Sequence, residues 1–302
     1  MKEIVAVIRI RVGRIVYILT TILCLLIFLP LFTWMRYALV PLGRIRIHHM
    51  ERFPDVEKAG AIIIVNHTTY LEPPSVYLLF VLFWYKATIK AAITGMINLL
   101  SFKLLTIEAL EKEVEDLLKE IERAVPVATV KKEYTDLPHP LIVLVKKFAF
   151  ARVDKDQDGV HNRGSALRQL GNLLRKERRS VIIPAEGTRT FKIPSESIMT
   201  SPKGNKIGVF ESGAAFLARV TGIPLTPIGI VGTENVLPNG KLALLLLFFA
   251  YLLPILPGKG TIEINIGFPC SISKETSVEE ANKNAMKSMM ATLDEITQER
   301  EN

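Results

Sequence analysis

The chain has 302 residues, is 49% hydrophobic, carries a formal net charge of +8, and holds two cysteines, Cys24 and Cys270. That length suits one large domain or two small ones, and two isolated cysteines exclude a disulfide framework and a cysteine metal motif. A basic balance fits nucleic acid or an anionic membrane surface, and a mean hydropathy of +0.29 decides for the membrane and against nucleic acid.

The first element is an uncharged run over residues 15–35, flanked by Arg9, Arg11 and Arg14 before it and Arg36, Arg44 and Arg46 after it. About 20 apolar residues in a helix reach roughly 30 Å, the thickness of a bilayer's hydrocarbon core. Residues 1–42 are therefore expected to form a membrane anchor. Both flanks are positive, and Pro30 permits a bend, so a span and a re-entrant hairpin both stay open. Residues 43–302 make the second unit. The stretch 43–50 alternates like a strand, which would put His48 and His49 on opposite faces. The run 61–65, Ala-Ile-Ile-Ile-Val, has the unbroken β-branched character of a strand buried on both faces.

Residues 75–86 read as a helix opened by Pro73-Pro74. Residues 108–125 place Leu110, Val114, Leu117, Leu118, Ile121 and Val125 on one helical face, with acidic residues covering the rest. They are expected to sit in a helical insertion over about residues 102–137. Further strands are expected at 180–184, 224–232 and 261–267, and helices at 163–178, 207–221 and 274–299. A second uncharged run, 242–258, is shorter and broken by Pro254 and Pro257, so it reads as interfacial or buried. Strands alternating with helices predict an α/β fold: a mostly parallel central sheet covered by helices on both faces, behind an N-terminal membrane-embedded segment.

Two loops carry chemistry. The strand 61–65 runs into Asn66-His67, and Glu72 follows in the loop before Pro73-Pro74. The C-terminal end of a parallel strand is where α/β sheets present reactive groups. A carboxylate that folds back on an imidazole fixes its tautomer and raises the basicity of the other nitrogen. No Gly-x-Ser-x-Gly elbow and no nearby cysteine supplies a nucleophile, so a His67–Glu72 pair would activate a substrate hydroxyl or water directly. The strand 180–184 runs into Glu186, Gly187, Thr188 and Arg189. Gly187 allows a tight turn against a ligand, and the Arg189 guanidinium matches a phosphate or carboxylate. Each loop alone also reads as a structural turn; the two together make a site.

Together they resemble the PlsC-like glycerolipid acyltransferase family, typified by 1-acyl-sn-glycerol-3-phosphate acyltransferases. The block 66–72, Asn-His-Thr-Thr-Tyr-Leu-Glu, resembles that family's N-H-x4-D block, with Glu72 at the position of the usual Asp. The stretch 150–156 resembles its second block, with Lys155 where an arginine is usual. Residues 186–189 match its E-G-T-R block, and 222–230 resemble its proline-framed fourth block. The resemblance spans about residues 43–270. It implies transfer of a fatty acyl group from an acyl-CoA or acyl carrier protein thioester to the free hydroxyl of a lysophospholipid. Lysophosphatidic acid is the first acceptor it suggests. Other acceptors (glycerol 3-phosphate, a glycolipid, an aminolipid) and a non-enzymatic membrane scaffold are the alternatives. By the same resemblance His67 is the general base and Glu72 orients it. Asn66, Asp154, Lys155, Glu186, Gly187, Thr188, Arg189, Pro224 and Pro227 line the substrate, and no metal or other cofactor takes part. Membrane lipids are the expected surroundings, with the catalytic domain on the cytoplasmic side.

Overall fold

The computed structural model describes residues 44–56, 59–67, 75–76, 79–80, 112, 116, 119, 123, 125–131, 150–153, 161–187, 194–236 and 261–301. Its centre is β2, Ile62–Val65, whose four β-branched side chains are all fully buried. Side chains alternate across a strand, so this run feeds two hydrophobic cores at once. Ile62 and Ile64 enter one core and Ile63 and Val65 the other.

Six more strands complete the sheet: β1 (Ile45–His48), β3 (Val127–Lys131), β4 (Phe150–Val153), β5 (Val181–Pro184), β8 (Leu225–Val231) and β9 (Ile262–Ile266). A separate antiparallel hairpin is formed by β6 (Ile198–Thr200) and β7 (Lys206–Gly208). The order across the sheet is β1-β9-β8-β2-β5-β3-β4. Strands β8, β2, β5, β3 and β4 run parallel, while β9 pairs antiparallel with β8 and carries β1 beside it in its own direction. The sheet is therefore mostly parallel, as expected, with a reversed pair at one edge.

The first core lies under three helices: α1 (His161–Arg175), α2 (Gly213–Thr221) and α4 (Val278–Glu301). A short α3 (Thr233–Val236) follows β8. Leu170, Leu173 and Leu174 of α1, Leu217 of α2, and Ala281, Ala285, Met289 and Leu293 of α4 recur at helical spacing and bury against Ile62, Ile64 and Val181. Each such large side chain contributes roughly 1.5–3 kcal/mol. The second core receives Val76, Leu79 and Phe80, all helical, and Phe80 meets Phe53 edge-to-face at 5.2 Å. Helical residues thus cover both faces.

Several expectations need correction. Residues 127–131, inside the stretch expected to be an insertion, form β3, an interior strand between β5 and β4. Five residues within 108–125 are described; Lys112, Asp116, Lys119 and Arg123 are helical and exposed, while Val125, expected on the apolar helical face, lies in a bend. The helix expected at 207–221 begins only at Gly213, because Lys206–Gly208 pairs with Ile198–Thr200 first. It stops at Gly222, whose φ of 73° is the left-handed conformation of a helix end. His48 and His49 do not diverge. β1 ends at His48, and His49 takes a left-handed backbone (φ 55°, ψ 45°), which turns both rings onto Glu299 of α4. The expected anchor at 1–42 and the run 242–258 lie outside the described residues. No described helix is long and apolar enough to cross a membrane.

The reversed pair has one further consequence. β9 and β1 begin at the edge of the sheet where β2, β5 and β8 end. Arg44 and Thr261, which lead into them, therefore stand at that edge; the Ile262 N–H donates to the Arg44 carbonyl at 2.9 Å.

Candidate active site

β2 and β5 are neighbours in register, Val65 opposite Pro184, so Asn66-His67 and Ala185-Glu186-Gly187 leave the sheet side by side at its C-terminal edge. The two loops singled out in the sequence thus meet in one place.

Asn66 is buried, and its side-chain amide continues the β2–β8 pairing after the β2 backbone has turned away. Its Nδ2 donates to the Ile230 carbonyl at 2.8 Å, and its Oδ1 accepts the Ile230 N–H at 2.8 Å. Both Ile230 backbone groups are in this way satisfied away from water. The next residue, His67, is half-buried.

The Glu186 loop is a tight turn. The Ala185 N–H donates to the Val65 carbonyl at 3.2 Å, and the Gly187 N–H to the Pro184 carbonyl at 3.0 Å. Gly187 has φ +64°, which favours glycine. Glu186 is 3% exposed, and burial of a carboxylate is costly unless its oxygens are bonded. Here Oε1 accepts the His67 N–H at 2.9 Å and Oε2 accepts the Gly208 N–H of β7 at 2.8 Å.

A second carboxylate stands at the same edge. The Glu211 N–H donates to the Ala185 carbonyl at 2.7 Å, and its side chain lies over Gly187. A Cβ added there would sit 2.7 Å from Glu211 Cγ and 3.2 Å from its Oε1. In the sequence Glu211 stands out only as a departure from the family resemblance, at a position where a lysine is often found. The Gly208 amide was not legible as a site group, because nothing in the sequence pattern links it to residues 66–67 or 186–187.

The prolines are not brought here. Pro224 precedes Leu225, which pairs with Ile62 at the start of β2, so it lies at the opposite edge. Pro227 is buried within β8 opposite Ile64, and its carbonyl accepts the Gly267 N–H at 2.9 Å. Glu72, Asp154, Lys155, Thr188 and Arg189 lie outside the described residues. Among the described residues, no group of three or more His, Cys, Asp or Glu side chains is arranged to hold a metal ion.

No protein-family model matches this chain, and no curated protein matches it. Among solved structures it is similar to the crystal structure of PlsC, the 1-acyl-sn-glycerophosphate (LPA) acyltransferase of Thermotoga maritima. The identity is 15% and the TM-score 0.47, over 88% of this chain and 75% of that one. A likeness that distant carries neither activity nor residue roles across.

Proposed function

We propose that this chain is a membrane-associated acyltransferase that moves a fatty acyl group from an acyl thioester to the free hydroxyl of a lysophospholipid, lysophosphatidic acid first among the acceptors. The observation that carries the proposal is the 2.9 Å bond between the His67 N–H and Glu186. It joins, at one sheet edge, two of the four sequence blocks on which the family resemblance rests.

In the proposed reaction His67 takes the proton of the acceptor hydroxyl as the new C–O bond forms at the thioester carbonyl. The tetrahedral oxyanion collapses with cleavage of the C–S bond. The imidazolium then returns its proton to the departing thiolate, leaving acylated lipid and free thiol. No acyl-enzyme is needed. Glu72 would hold the ring's tautomer, and Lys155 and Arg189 would meet an anionic headgroup, with Asp154 and Thr188 beside them. The donor is acyl-CoA or acyl carrier protein. The positions of Arg44 and Thr261 support a membrane setting: the two uncharged runs rejoin the sheet on the edge that carries His67.

A second reading keeps the reaction and changes the acceptor. Glu211 favours it, because a carboxylate against Gly187 opposes a doubly charged phosphate monoester and suits a neutral or amine-bearing headgroup.

An acceptor screen with purified full-length protein in detergent, using radiolabelled acyl-CoA and acyl carrier protein, tests both. Transfer to lysophosphatidic acid is expected, reduced about 10²–10⁴-fold in His67→Ala. Preference for an uncharged or amine-bearing acceptor selects the second reading. No transfer to any acceptor leaves the scaffold alternative.

A further inference from the structure

In the family resemblance Glu186 lines the substrate; the geometry points to a different job. We propose that Glu186 is a positioning residue for His67. Its carboxylate is a strut between the backbone of the base and the β6–β7 hairpin. The inference rests on the reading of His67 as the base and assigns what holds it.

Three observations carry it. First, the carboxylate is 3% exposed, and each oxygen accepts a backbone N–H, from His67 at 2.9 Å and from Gly208 at 2.8 Å. Second, those two donors stand at strand ends: His67 lies two residues past β2, and Gly208 is the last residue of β7. Glu186 thus provides at the sheet's edge what the ladder provides inside it. Third, the hairpin is itself fixed from behind. Asn205 Nδ2 donates to Asp294 Oδ1 at 2.8 Å and to Thr297 Oγ1 at 3.0 Å, and the Ser201 hydroxyl also donates to Asp294. A continuous path of bonds therefore runs from α4 through the hairpin and Glu186 to the N–H of His67.

The chemistry of a carboxylate argues the same way. An ionised carboxylate only accepts hydrogen bonds, and so does a phosphate dianion. Glu186 has nothing to donate to an anionic headgroup and would repel it. Aimed at two amides, the same charge is matched by charge-assisted bonds that are stronger than neutral ones.

The test is Glu186→Gln in the full-length protein. The amide keeps the length but offers one acceptor oxygen to two N–H donors. A shift of about 1 Å in a reacting group can cost about 10²-fold. We expect kcat to fall about 10–10²-fold, with acceptor KM held within about twofold. A rise in acceptor KM at unchanged kcat, or no change in either, would overturn the strut. Asn205→Ala covers the case in which the Gln variant does not fold. It removes two of the three bonds that tie the hairpin to α4, 19 residues in sequence from Glu186 and off the site. A drop in kcat of about two- to tenfold at unchanged KM is expected, and wild-type kcat would count against the path. Amide hydrogen exchange separates this idea from the proposed activity. If the wild type transfers no acyl group, the activity falls, and the strut is decided by the His67 and Gly208 amides alone. Protection in the wild type that is lost in Glu186→Gln upholds it; equal exchange in both overturns it.

Discussion

Asn66→Ala is the sharpest test of how His67 is mounted. The substitution removes both side-chain bonds to Ile230 and leaves a fully buried N–H and C=O with no partner from that side. Each buried backbone group so exposed costs about 1–3 kcal/mol, giving a loss of roughly 2–6 kcal/mol. At about 2–4 °C per kcal/mol for a domain of this order, Tm should fall by roughly 4–24 °C. The assay is thermal unfolding by circular dichroism at fixed detergent and lipid, with the wild type measured alongside. Asn66→Asp refines the result. One oxygen still accepts the Ile230 N–H, but the other now faces the Ile230 carbonyl without a proton to give. Burial beside a carbonyl raises that acid's pKa, so the folded state favours its neutral form. The variant should therefore be weaker than wild type at neutral pH and regain stability as pH falls, when the protonated acid donates to the carbonyl. A melting temperature for Asn66→Ala within about 1 °C of wild type would mean that the Asn66 amide does not hold Ile230.

Three other outcomes follow from local geometry. Gly232→Ala should destabilise more than Gly187→Ala: both have positive φ, but the added Cβ at Gly232 would meet the Thr261 backbone oxygen at 2.2 Å, where at Gly187 it meets the Glu211 side chain, which can turn away. Comparable melting temperatures for the two variants would contradict this. Burial pushes the Cys270 thiol above its ordinary value, so at pH 7.5 iodoacetamide should modify it more slowly in the native protein than in denaturant; equal rates by peptide mass spectrometry would show an open thiol. Glu299→Ala removes the carboxylate shared by His48 and His49 on a partly exposed surface, so it should cost on the order of 1 kcal/mol or less while amide exchange in the last turn of α4 quickens. Unchanged exchange there would mean that the histidines do not hold the helix end.

The strands that could be read from the chain were those rich in β-branched residues or with apolar and polar residues in alternation. Ile45–His48, Ile62–Val65, Val181–Pro184, Leu225–Val231 and Ile262–Ile266 all lie in stretches expected to be strands. β3, Val-Ala-Thr-Val-Lys, and β4, Phe-Ala-Arg-Val, mix polar and apolar residues over four or five positions, too few for a period to declare itself. The hairpin is harder still, since its strands have three residues each and Met199 and Lys206 are exposed. Missing it placed the start of α2 six residues early, at 207 where the helix begins at Gly213. The His48–His49 error has the same origin. Period-two alternation holds only while the strand lasts, and the strand stops between them.

The site was legible in part for a physical reason. A buried strand must end, and the residues that follow carry Gly, Asn or charge because the backbone has lost its ladder. That signal identified Asn66, His67, Glu186 and Gly187. What the residues do there depends on partners far away in sequence: Ile230 lies 164 positions from Asn66, and Glu186 lies 119 from His67 and 22 from Gly208. No local pattern encodes those separations; the parallel register of β8, β2 and β5 does. The same register explains why an asparagine belongs before His67. A backbone that turns out of the sheet to expose an imidazole strands the peptide groups of the next strand, and a side-chain amide has the donor and acceptor needed to replace the lost peptide. Aspartate lacks the donor, serine has too short a reach for both groups, and glutamine has a methylene too many for the same turn. On the proposed reading, Asn66 and Glu186 are thus two halves of one solution. One satisfies the strand that His67 leaves, and the other satisfies the backbone of His67 itself, at the edge where Arg44 and Thr261 also stand.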